Sequence, residues 1–479
     1  MVPTFPPRVR RRDQPRIITG LLTHPHRALD RLRQRYGPVC SLGAGPFRMV
    51  IVGDPPTLAE LFRKPTNEFR WRHRFNWFDV FVGPSSMLTN DEPEHTRLRS
   101  AIQAGFSRRR LGRWVAMIVD RTDAAVDGLL ASSSDAEVVD LDPILRSITL
   151  EVVLAALFGA EFAARADEIG ELMRSGHDYV ARPTPPHRLP FGLQHRVRTD
   201  RAALDAIIDA EIAQRRARPI GDPFDILEAL VTDGELTDGE IRDQVVTLIG
   251  AGFDTTAAAL GWTLWRSTLE PGLWSDLGVE ADRVLGPIAT TQRSPDERDL
   301  AALELADRVV RETLRLHPPG ALTPREAAVD LEIGGYLVPA TTMVVWSAHL
   351  AGRDPGTWAD PLRFDPDRFR NPTDEQQSAI RAAWVPFGRG VRHCIGFALA
   401  QMELTLIIAR LAQRLVLAPT ASTVPEPIGV AVNQPDGGVP MRVRARATAG
   451  EHHAATTRGA PTHGGHAVAL GGRDADQTS

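Results

Sequence analysis

Only two cysteines, Cys40 and Cys394, occur in the 479 residues. That count excludes a tetracysteine zinc site, a four-cysteine iron–sulfur cluster and a disulfide framework, and it fits a reducing cytoplasm. Lysine is almost missing too: Lys64 is the single one, and arginine carries the remaining positive charge. The skew matches GC-rich codon usage and has no functional content. No apolar run approaches the roughly 18–20 residues that span a bilayer. Residues 1–16 are rich in proline and arginine without an apolar signal core, and the apolar stretch Ile17 to Leu22 is short. A net charge of −4 points to neither nucleic acid nor an acidic membrane surface. The chain shows no internal repeat, and no glycine-rich nucleotide loop follows a strand. What is present is a long chain, 43% hydrophobic and 24% charged, able to bury a large core.

The pattern is mainly α with a minor β region. Helical periodicity covers Arg108–Leu130, Ile144–Phe158, Asp200–Arg216, Asp238–Thr268, Leu303–Leu316 and Ile395–Leu415. Strands are expected at Val39–Leu42 and Phe47–Val52, joined through Gly43 to Pro46, with a second β patch at Leu331–Ile333 and Met343–Trp346. Residues 1–16 read as a flexible arm, 17–446 as one globular domain and 447–479 as a disordered tail, whose four histidines read as solvated.

Cys394 stands in Phe387-Gly388-Arg389-Gly390-Val391-Arg392-His393-Cys394-Ile395-Gly396, a glycine-punctuated loop running into an apolar helix. Gly388 and Gly390 permit turns that residues with a Cβ resist. A helix opening at Ile395 aims N–H groups at the sulfur and favours thiolate. A lone cysteine so placed suits a single axial thiolate, with a buried structural cysteine as the alternative. Thr237 to Glu240 form a capping-box start for a helix of about 30 residues, roughly 45 Å long. Its centre, Gly250-Ala251-Gly252-Phe253-Asp254-Thr255-Thr256, holds poor helix formers. Either the helix widens there to hold water or a diatomic ligand, or small residues allow close packing and the threonines bond back to carbonyls. Thr247, Ala251 and Thr255 recur every fourth residue, on one face.

The cysteine loop meets every fixed position of the haem-binding loop of the cytochrome P-450 monooxygenases, and the chain resembles a soluble bacterial member from about Pro38 to Arg444. The resemblance implies that fold, with haem b (iron protoporphyrin IX) between the long distal helix and the cysteine-loop helix. It makes Cys394 the iron ligand, with Phe387 and Gly388 packing beside it. It assigns propionate contacts to Arg392, His95, Arg99 and Arg325, with Ala251 beside the oxygen groove. Thr255 would bond the bound oxygen and Asp254 would relay protons, while Thr256 stays structural. Glu312, Arg315 and Arg368 match the family's buried structural network. Thr341 departs from the usual glycine of a hairpin, which implies a slightly different turn. Trp71 to Leu88, with Trp71, Phe75, Trp77, Phe78 and Phe81, and Gly320 to Thr323 match substrate-facing segments, although the rings also suit a core. Arg97, Arg108, Arg109, Arg110 and Arg389 are either a docking face for an acidic ferredoxin or solvated charge. The expectation is a cytoplasmic monooxygenase acting on an apolar small molecule with O2, ferredoxin and ferredoxin reductase, without nucleic acid or a membrane anchor. A peroxygenase, an oxidative-coupling enzyme or a haem-thiolate sensor are the alternatives.

Overall fold

The computed structural model describes residues 4–73, 76, 78–106, 108–181, 192–218, 225–286 and 293–446, with the backbone alone at 46, 104, 108–111 and 233. Phe75, Trp77, the Arg108–Arg110 side chains and the 447–479 tail lie outside that description.

Thr237 caps the central helix, Asp238–Leu269, in a full capping box with Glu240. At 32 residues the helix is roughly 48 Å long, and it is buried on nearly every side, from Ile241 to Ser267. A helix apolar all round belongs in a core. Among the described residues it is the one helix long and apolar enough to cross a membrane, yet 78% of its apolar window is buried inside the protein. The expected local widening is not found; the helix is unbroken. Its glycines serve packing instead. A Cβ on Gly252 would stand 2.9 Å from Val153, and one on Gly250 would stand 3.3 Å from Phe81 and Met173.

Around this axis pack helices Asp142–Phe158, Ala166–Ala181, Leu193–Ala217, Glu304–Leu316 and the cysteine helix Phe397–Arg414. Helix Arg108–Ser132 lies against the cysteine helix. The β region is peripheral. The Val39–Leu42 and Met49–Val52 hairpin forms as expected. It joins Met343–Trp346, Thr323–Ala327 and Phe69–Arg70 in a five-stranded sheet. Met343–Trp346 pairs in parallel with Met49–Val52, and all four of its residues are buried, as a strand covered on both faces should be. Leu331–Ile333 does not share that sheet; it pairs with Tyr336–Val338. Thr341 keeps the left-handed conformation that glycine favours, with φ +64°, so the turn survives the substitution at a backbone cost of about 1–2 kcal/mol.

Residues 4–16 are not a flexible arm. Thr4 bridges to Tyr336, Arg8 bridges to Ser41, Val9 is buried and a helix starts at Gln14. Apolar Val9 and the unpaired edge of Val39–Leu42 explain the seating, since an open strand edge accepts a further strand.

A buried histidine group joins this N-terminal lobe to the body. His26 packs edge-on to His349 with centroids 5.0 Å apart, and His349 Nε2 lies 2.9 Å from Asp30. His317 stacks on Trp262 at 4.0 Å and accepts a hydrogen bond from Arg266 at 2.9 Å, which fixes it as neutral. Burial and the nearby Arg353 push all three below the usual histidine range, His349 to about 4. The unfolded chain therefore binds protons that the folded chain refuses. Stability is lost as pH falls from about 6.5 towards 4, on the order of 3 kcal/mol for His349 alone. Thermal melts across that window should show the melting temperature dropping before the carboxylates titrate.

Candidate functional site

The cysteine loop builds its turns where the glycines require them: Gly388 has φ +68° and Gly390 φ +72°. A Cβ on Gly388 would stand 3.5 Å from the Trp346 ring, and one on Gly390 would sit 3.0 Å from the Phe62 carbonyl. Cys394 N–H donates to Phe387 O at 3.0 Å and closes the loop. The helix begins at Phe397, two residues later than expected, so the Gly396 and Phe397 N–H groups lie at the sulfur, the latter also donating to the Cys394 carbonyl at 3.4 Å. Phe387 packs edge-on to Phe397 at 4.9 Å. Burial still raises the Cys394 thiol above its ordinary range, against those N–H groups and the Arg99 charge. Backbone dipoles alone therefore do not make the thiolate; a bound metal, which deprotonates a coordinating thiol outright, would.

Cys394 is surrounded by the fold, yet it is exposed. Ala251 is likewise open, in the middle of a helix buried on both sides of it. Each borders open space within the fold, and the resemblance makes them the two walls of one haem slot. Thr255 lines it in part, and its hydroxyl donates to the Ala251 carbonyl at 2.8 Å; Thr256 donates to Gly252 O at 2.8 Å. The back-bonded reading of the threonines thus holds, with Thr255 still half open. Thr247 does not line the slot: it is buried and its hydroxyl is 2.7 Å from Ser86.

Three of the four residues expected at the propionates are buried cations or histidine. Arg325 sits 4.0 Å above the Phe69 ring and donates to Leu61 O at 3.0 Å. Arg392 stacks at 3.9 Å on Trp71 and donates to Asn90 O at 2.7 Å. Both Nε atoms are buried without a partner. Burial pulls Arg325 down to about 9 and Arg392 to about 10, so each favours a further anion. His95 is 2.8 Å from Glu92 and is pushed to about 4, mainly by burial. Arg99 is half-buried near Cys394, with its pKa lowered by that burial. These orphaned donors fit the two carboxylates of a propionate-bearing macrocycle. Among the described residues no three His, Cys, Asp or Glu side chains can together hold a metal. An iron bound by Cys394 must then arrive with its other ligands, as haem iron does.

Asp254 is not in the slot. It is buried against the neighbouring helices, where Arg146 holds Oδ1 and His177 Nδ1 lies 2.7 Å from Oδ2. Burial raises its pKa, but those partners win and hold it below the usual carboxylate range. No sequence spacing announced Arg146 or His177. The loop over the slot is pinned to the central helix by side chains the sequence also left silent: Ser85 N–H donates to Asp243 at 2.8 Å and Met87 N–H to Gln244 at 2.9 Å. Two of the loop's aromatics are not pocket lining. Trp71 covers Arg392, and Phe81 wedges against Gly176 and Gly250 in the core. Gly320 fits a lining role, since a Cβ there would meet nothing within 4 Å. Arg97 pairs with Glu94 and Glu240.

The buried network forms as read from the sequence. Arg315 donates twice to Glu312, at 2.7 Å each, and Arg368 Nε reaches the same carboxylate at 3.3 Å.

The family model for cytochrome P-450 matches residues 17–438. A provisionally named Mycobacterium tuberculosis cytochrome P-450 (number 139) is 31% identical over 399 residues, covering 81% of this chain and 90% of that one. The cyclooctat-9-en-7-ol 5-monooxygenase of Streptomyces melanosporofaciens is 31% identical over 403 residues, covering 81% and 84%. The crystal structure of the cytochrome P450DA heme domain superposes with a TM-score of 0.78 at 22% identity, covering 93% of this chain and 97% of that one.

Proposed function

The chain belongs to the cytochrome P-450 family and is a monooxygenase, and on that premise we propose that it inserts one atom of O2 into an apolar organic molecule, using haem b and electrons from a separate ferredoxin and reductase in the cytoplasm. The observation that carries this reading is the exposed Cys394 in its glycine-turned loop, together with Arg325 and Arg392, whose buried Nε atoms have no partner. Haem held there supplies O2 activation, with electron donation from the thiolate favouring O–O cleavage. Arg325, Arg392, Arg99 and His95 would hold its carboxylates, an arginine fork matching a carboxylate bidentately. The Gly396 and Phe397 N–H groups hold the sulfur in place. Thr255 presents a hydroxyl on the slot wall, and releasing its bond to Ala251 O frees it to orient a proton donor. Asp254 is the nearest ionisable group on that helix turn. An acid and an alcohol in this order serve proton delivery, which peroxide chemistry would not need. A relative named for monooxygenation of cyclooctat-9-en-7-ol supports an apolar substrate.

Thr255→Ala tests this. With NADPH and a surrogate ferredoxin system, the variant should keep consuming NADPH but divert it to hydrogen peroxide, so that product per NADPH falls about tenfold or more. Unchanged product yield would remove Thr255 from the reaction.

A further inference from the structure

Asp254 has both oxygens occupied and no proton of its own to give. Its side chain is 6% exposed, with Arg146 on Oδ1 and His177 Nδ1 2.7 Å from Oδ2. Arg146 is also bound to Asp142 at 2.7 Å and Gln434 at 2.7 Å, so it is locked in place. The two groups gripping the carboxylate differ in one respect that matters for turnover. A guanidinium does not release a proton near neutral pH, whereas an imidazole exchanges protons there. The His177 side chain is 22% exposed, so it is open on one side while its Nδ1 lies against the buried acid.

We propose that His177 is the residue through which solvent protons reach Asp254 during turnover. This rests on the monooxygenase reading above. His177 gives its Nδ1 proton to Asp254 Oδ2 while its Nε2 takes one from hydronium, which is left as water; the carboxylate becomes a neutral acid, the imidazole stays neutral with its proton now on Nε2, and a turn of the ring restores the starting tautomer. The neutral acid loses its ionic attraction to Arg146 and carries an O–H that is free to turn towards the Thr255 face of the helix. His177 acts only through Asp254 and is a positioning residue. The charged groups around it are Asp254 on the central helix and Arg146, backed by Asp142, on helix Asp142–Phe158. On its own helix they are Asp178 and Arg174, the latter 3.5 Å from Glu171.

His177→Gln and His177→Lys in the haem-loaded enzyme separate the roles, with a substrate found by its spin-state shift. Gln keeps a hydrogen-bond donor; Lys keeps a positive charge that is not released near neutral pH. Both should retain the spin-state affinity and KM of the unsubstituted enzyme. With ferredoxin, kcat should fall about 100-fold in both, with electrons lost to peroxide. Turnover driven by added hydrogen peroxide, which brings its own protons, should persist. Infrared difference spectra across pH should show the Asp254 carboxyl signal responding to the histidine in the unsubstituted protein and losing that response in His177→Gln. Full ferredoxin-driven kcat in either variant, or an unaltered infrared response, would overturn the proposal. An unsubstituted protein without a thiolate-type carbon monoxide band would sink the monooxygenase reading instead.

Discussion

Cys394→Ser should abolish the strongly red-shifted carbon monoxide band of the reduced protein and all monooxygenase turnover with it. The serine is isosteric and keeps the Phe387 to Phe397 turn, but an alcohol remains protonated where a thiol coordinates as thiolate. Electron donation from sulfur is the property that favours O–O cleavage, so its loss removes the reaction rather than slowing it. Reduced-minus-carbonyl difference spectra of the two proteins, at equal haem content, are the measurement. A retained thiolate-type band in the variant would show that Cys394 is not the ligand. A variant without haem would be read beside Cys394→His, which restores a ligand of another type and gives an imidazole-type band.

Glu312→Ala should prevent accumulation of soluble haem-loaded protein. Glu312 and Arg315 are both fully buried, and Arg315 also donates to the carbonyls of Gly352, Pro361 and Arg363. Removing the carboxylate strands a guanidinium in the interior and releases Arg368 and the Asp365 N–H, both held by the same oxygen. Breaking a buried pair in this way costs about 3–5 kcal/mol, against total stabilities of about 5–15 kcal/mol. The segment those groups anchor leads through helix Asp374–Ala383 to the cysteine loop. Haem absorbance relative to protein, with chemical denaturation of whatever is soluble, decides the outcome; a haem-replete Glu312→Ala protein of ordinary stability would contradict it. Glu312→Gln should be milder because it keeps one oxygen for the Asp365 N–H.

What the sequence determined by itself was everything written in short range. Gly388 and Gly390 stand where the chain turns with positive φ, Thr237 and Glu240 start the central helix, and Glu312 and Arg315 lie one helical turn apart. Backbone conformation, caps and i,i+3 contacts depend on neighbours in the chain, so residue type and spacing suffice. The order of those motifs was enough for the fold family. The tertiary structure alone decided which groups meet across long separations. Arg146 reaches Asp254 over 108 residues and Arg392 reaches Asn90 over 302. It turned Asp254 towards Arg146 and His177, gave Trp71 to Arg392 and Phe81 to the core, and seated the N-terminal segment against Ser41. Such contacts come from side chains sharing one interior. Burial there changes the charge each group holds, and no local pattern records that.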